Sequence, residues 1–150
     1  MDPLLGGAEQ DALGHSWGLA NVTSSEVAGA RYDKVISLSG AGMLEEWAPS
    51  RGTSYSDFSY NDLLQVGQAT PIVWGGNTPR DHPAFEHGDY YVGPNDDRLT
   101  GYTPVTPNGY PASHFPLDDP LILIDNHNLI ASDSDDNDEA LRDIQRKVME

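Results

Sequence analysis

The sequence predicts an α/β fold, a parallel sheet with flanking helices. Three observations predict it. Segments with strand and helix patterns alternate along the chain. The strand-like runs are continuously apolar instead of alternating, which suits strands covered on both faces. The clearest run, PLILID at 120–125, carries four consecutive large aliphatics from Leu121 to Ile124.

The elements follow in order. Residues 1–12 are acidic and poor in β-branched residues. A helix is expected from Trp17 to about Ala30, where Leu19, Ala20, Val22, Val27 and Ala28 supply an apolar stripe. DKVISLSGAG reads as a buried strand, Val35 to Leu38, ended by a glycine turn. SYNDLLQVGQ reads as a short helix capped by Asn61 or Ser59, with Gly67 near its end. TPIVWGG gives a second strand, Ile72 to Trp74. Residues 75–118 form a long connection rich in proline, glycine and tyrosine, of a length that is usually functional or disordered. Its aromatics, Phe85, Tyr90, Tyr91, Tyr102, Tyr110 and Phe115, favour a packed lid. PLILID is the third strand. Asp136 or Asn137 caps a final helix with Leu141, Ile144 and Val148 on one face.

The 150 residues suffice for one domain with its own core, and no internal repeat divides them. A net charge of −16 argues against nucleic acid and anionic membranes as partners, since both repel it. The absence of cysteine excludes disulfides, thiolate metal sites and a cysteine nucleophile. The first residues have no basic region and no long apolar stretch, so no signal peptide is expected. No run approaches ~18 apolar residues, so a soluble chain without a membrane span is expected.

The chemistry starts at Gly14-His15-Ser16-Trp17-Gly18, a G-x-S-x-G sequence. A serine on a sharp strand-to-helix turn is presented as a nucleophile, and flanking glycines allow the tight backbone and close helix packing. The competing reading is an ordinary glycine-rich turn. A triad of this type runs serine, acid, histidine. Asp81, in GGNTPRDHP, follows the expected strand at 72–74, and His127, in DNHN, follows the expected strand at 120–125. Both then lie in loops at the end of a parallel sheet where sites form. Asp89 competes with Asp81 as the acid. A solvated loop histidine is the plain alternative for His127.

Metal signals are weaker. Asp133, Asp135 and Asn137 have the spacing of half a calcium loop, but Asp138 replaces the required glycine and Ile144 the closing glutamate. His82, His87 and His114, with Asp81, Glu86 and Asp89, match no zinc spacing. No metal or other cofactor is expected. Asn21 begins a glycosylation sequon but falls on the expected helix after the elbow.

GHSWG, then DKVISLSGAGM, then a late DNHN before a C-terminal helix resemble the second half of an α/β-hydrolase, most nearly the actinobacterial α/β-hydrolases of poorly defined substrate. The resemblance covers roughly residues 12–148 and is loosest over 75–118. It implies a partial α/β-hydrolase fold lacking the N-terminal strands. It implies Ser16 as nucleophile, His127 as general base and Asp81 as the acid that orients it. The Trp17 backbone N–H becomes an oxyanion donor, and His15 a structural neighbour. The chain departs from the pattern before the elbow, where AEQDAL is polar and a central buried strand is Val- and Ile-rich. The expected function is therefore a serine hydrolase acting on a small acyl or ester substrate. The alternative is an incomplete, non-catalytic hydrolase-like module that self-associates or pairs with a companion chain supplying the missing strands.

Overall fold

A computed structural model describes residues 7–68, 77–87, 91–96 and 120–150. Four strands, β1 (Asp11–His15), β2 (Lys34–Leu38), β3 (Ser54–Phe58) and β4 (Phe85–His87), form one all-parallel sheet in the order β1-β2-β3-β4. Helix α1 (Trp17–Val27) joins β1 to β2. Helix α2 (Leu63–Gln68) follows β3, and α3 (Pro120–Leu129) and α4 (Asp138–Met149) close the chain, with a 3₁₀ turn at Asp135–Asn137 between them. This is the α/β arrangement that the alternating pattern predicts.

Strand alternation divides the core between the two faces of the sheet. On one face Val35, Tyr55 and Phe85 pack with Leu19 of α1 and with Met43 and Trp47 of the β2–β3 connection. On the other, Ile36, Leu38 and Phe58 pack with Tyr60, Tyr91, Ile130, Ala140 and Ile144. Glu26, near the end of α1, is buried yet satisfied. It accepts hydrogen bonds from Trp47 Nε1 at 2.9 Å and Tyr55 Oη at 2.7 Å, fastening α1 to the sheet and to the β2–β3 connection. Burial and this carboxylate raise the Tyr55 pKa.

Two strands differ from the sequence reading. β3 is SYSDF, whose serines and aspartate hide it from a pattern search, although Ser56 and Asp57 are buried in the sheet. β1 is DALGH, and among the described residues it pairs only with β2. An edge position tolerates the polar residues that a central strand would not. Asp11 stands opposite Lys34 in the ladder, with 3.6 Å between carboxylate and amine.

The strand expected at 120–125 is a correction: the segment is the first part of α3. Ile122, Leu123, Asn126 and Ile130 are buried while Leu121 and Ile124 are exposed, a period of 3.6 and not of 2. Pro120 opens the helix, where its fixed φ fits and its missing N–H costs nothing. The final helix is present as α4, with Ala140 and Ile144 as its buried residues. The expected strand at 72–74 lies outside the described residues, as does most of the lid-like 75–118 segment. β4 falls within the described part of that segment.

Asn137 is not a calcium ligand here. Its amide donates to the Ile130 and Ser132 carbonyls, and its Oδ1 accepts the Tyr60 hydroxyl at 3.0 Å. Among the described residues no three His, Asp or Glu side chains are placed to hold a metal ion. No helix among them is long and apolar enough to cross a membrane.

A β-carbon on Gly14 would meet the Leu19 backbone at 2.6 Å, whereas one on Gly18 would meet nothing within 4 Å. In urea unfolding Gly14→Ala is expected to lose about 2 kcal/mol, and Gly18→Ala to gain up to about 1 kcal/mol. Burial, and then the charges of Glu139, Asp136 and Asp96, push the Tyr60 pKa up to about 12. The unfolded chain therefore loses this proton first, so stability is full below pH ~10 and falls as pH rises towards 12. Tyr60→Phe, compared by thermal unfolding across that range, is expected to show a smaller fall.

Candidate active site

The site lies at the C-terminal ends of the strands, where α/β sheets form their crevices. β1 ends at His15 and α1 starts at Trp17, leaving Ser16 alone to make the turn. Its φ is 55° and its ψ −126°, a combination that a side chain disfavours by an amount on the order of 1–3 kcal/mol. Three hydrogen bonds hold it there. Ser16 N–H donates to the Leu38 carbonyl at 3.2 Å, and the Ser16 carbonyl accepts from Leu19 at 3.3 Å and from Ala41 at 2.9 Å. Gly14 lets α1 fold back onto the strand beside this turn. Trp17 opens α1, so its N–H stands at the positive end of the helix dipole.

His127 lies in the last part of α3, not in the loop expected for it. Its Nδ1 is 3.4 Å from Asp62 Oδ2. Asp62 is fully buried and follows β3 by four residues. Its other oxygen accepts the Leu64 and Gln65 N–H groups at 2.8 and 3.0 Å, capping α2. An ionised carboxylate only accepts, so this contact matches the His127 tautomer that carries its hydrogen on Nδ1.

His15 brings the elbow to this pair. Its Nε2–H donates to the His127 carbonyl at 2.9 Å, and the two rings lie 4.8 Å apart, tilted by 31°. Asn126 holds the other side. Its amide donates to the Asn61 carbonyl at 2.8 Å and to Asp96 Oδ1 at 2.6 Å, and Asp96 Oδ2 accepts the Gly93 N–H at 2.9 Å. His127 is thus tied through its own ring, its carbonyl and its neighbour to the chain beyond β1 and β3. The Ser16 hydroxyl itself makes no hydrogen bond to the described residues.

Of the three residues expected from sequence, His127 is tied to His15, the residue before Ser16. Asp81 does not join them. Asp81 is exposed in the turn at 78–81, where its carboxylate accepts from Thr78 Oγ1 at 3.3 Å. Asp89 lies outside the described residues. The carboxylate at the histidine is that of Asp62, which sequence reasoning missed because it follows the disguised strand β3. One signal pointed to it: Asp62 followed three residues later by Gln65 is a capping-box spacing. Of the suggested metal ligands, His82 Nδ1 accepts the Ala84 N–H at 3.2 Å and its ring stands edge-on to Trp47, while His87 lies 3.8 Å from Asp57.

No protein-family model matches the chain, and neither the curated proteins nor the solved structures compared with it give a match.

Removing the Asn126 amide takes its buried hydrogen bonds from the Asn61 carbonyl and the Asp96 carboxylate. Asn126→Ala is expected to lower stability by about 1–3 kcal/mol in urea unfolding.

Proposed function

We propose that the chain is a serine hydrolase of the α/β-hydrolase type, part of that fold, acting on an ester or related acyl substrate. The observation that carries this reading is the buried Asp62 carboxylate at His127 Nδ1, in a group whose other tie is to the residue before a strained Ser16. Ser16 is the nucleophile, His127 the base and Asp62 the orienting acid, in place of Asp81.

In the first half-reaction the Ser16 oxygen adds to the ester carbonyl, and its proton passes to His127 Nε2. Asp62 holds the ring in the tautomer that can take it and stabilises the imidazolium that results. The Trp17 N–H, at the positive end of α1, stabilises the oxyanion. The carbon–oxygen bond to the alcohol then breaks, and the alcohol leaves with the proton from His127. Water adds to the acyl-serine by the same route, with its proton going to His127, and the acid departs as Ser16 recovers its hydrogen.

A second reading, an interaction module, draws on a separate observation. Among the described residues β1 has only one neighbouring strand, and its Leu13 is 48% exposed. An edge strand offers backbone groups to a further strand, from a second copy or from a companion chain. Light scattering after size-exclusion chromatography tests it: an active, stable monomer rules it out.

The hydrolase reading is tested with p-nitrophenyl esters and a fluorophosphonate probe. Ser16→Ala is expected to abolish labelling and turnover. Asp62→Asn is expected to lower kcat on the order of 10³–10⁴-fold, and Asp81→Asn to change it less than twofold. Equal rates for wild type and Ser16→Ala overturn the reading.

A further inference from the structure

Helix α2 joins the two halves of the site. At its start Asp62 receives the Leu64 and Gln65 N–H groups and faces His127. At its end Gln68 Nε2 donates to the Gly40 carbonyl at 2.6 Å. Gly40 precedes Ala41, whose N–H holds the Ser16 carbonyl. The helix therefore runs from the acid at the histidine to the turn beneath the serine.

Asp62, Gln65 and Gln68 recur every third residue, which places them on one flank of α2. All three are buried, whereas Leu63 beside them is 49% exposed. Gln65 is the anomaly. It is 1% exposed, and among the described residues neither its Oε1 nor its Nε2 has a hydrogen-bond partner. Gln68 Oε1 is also buried without one, and so is the hydroxyl of Ser39. Ser39 follows β2 and, with Ser16, is one of the two non-glycine residues described with positive φ, here 46°. A leucine or methionine would fill the Gln65 position without leaving polar atoms unpaired. Burying an amide with both ends unpaired costs free energy that a folded chain rarely bears without a use. Gln65 lies on α2 between Asp62, which faces His127, and Gln68, which reaches Gly40; Ser39 precedes Gly40 on the turn whose Ala41 N–H holds the Ser16 carbonyl.

We propose that Gln65, supported by Gln68 and Ser39, is a polar subsite that selects acyl substrates carrying an amide next to the reacting carbonyl. Gln65 presents one acceptor and one donor side by side, the complement of an amide's N–H and C=O. A site whose buried groups are paired only by such a substrate rejects the alkyl analogue strongly, since that analogue leaves them unpaired. The proposal rests on the hydrolase reading, and it names the class of ester.

The test compares p-nitrophenyl N-acetylglycinate with p-nitrophenyl pentanoate, using wild type and Gln65→Leu. The intrinsic reactivities of the two esters cancel between the proteins. Gln65→Leu is expected to lower kcat/KM for the amide ester at least tenfold relative to the pentanoate, and Ser39→Ala to shift the ratio less in the same direction. Urea unfolding is expected to show Gln65→Leu as stable as wild type, because it removes a buried unpaired amide. A binding readout does not depend on turnover: in Ser16→Ala protein the Gln65 side-chain NH₂ resonances are expected to shift with N-acetylglycine methyl ester and not with methyl pentanoate. An unchanged ester ratio with no selective shift overturns the subsite while leaving the hydrolase standing. A selective shift in a wild-type protein that neither turns over nor takes the fluorophosphonate keeps the subsite and removes the hydrolase.

Discussion

Asp62 has no exposed surface, and its carboxylate gathers three donors from two helices. A charge taken out of water in this way needs such partners, because an unpaired buried carboxylate is strongly destabilising. One side chain therefore starts α2, sets its direction and docks α3 against it. His127 is oriented by the same contact that makes the burial tolerable, so the position of its ring is a consequence of folding.

The opposite wall of the site depends on a local strain. Ser16 adopts its costly backbone because the parallel ladder carries its N–H to Leu38 and the turn after β2 fixes its carbonyl. Gly14 removes the one side chain that would keep Leu19 away. His15 then crosses from this turn to the His127 carbonyl, and the Asn126–Asp96 pair closes the circuit from the side of β3. The short sheet supports all of this because the ends of β1, β2 and β3 lie side by side. Each contributes a residue or a turn at one edge.

Much of the frame was legible in the sequence where hydrophobic pattern and turn chemistry agree. The first helix, the VISL strand and the final helix declare themselves by period and by glycine, and GHSWG marks the strained turn directly. β3 was not legible, since SYSDF pairs two aromatics with serines and an aspartate that the sheet buries. Without that strand Asp62 carries no strand-end signal, whereas the exposed Asp81 follows a run that reads as one. PLILID misled for a different reason. Four adjacent aliphatics satisfy a buried strand and a buried helix equally, and only the packing of Ile122, Leu123, Asn126 and Ile130 on one side decides.

The Asp62 contact favours the His127 tautomer with hydrogen on Nδ1 and a bare Nε2. The ¹⁵N shifts of the His127 ring at a pH where the ring is neutral test this, with Asp62→Asn as the comparison. Hydrogen on Nδ1 and a bare Nε2 are expected in the wild type, with loss of that preference in the variant. Hydrogen on Nε2 in the wild type, unchanged in Asp62→Asn, would contradict it.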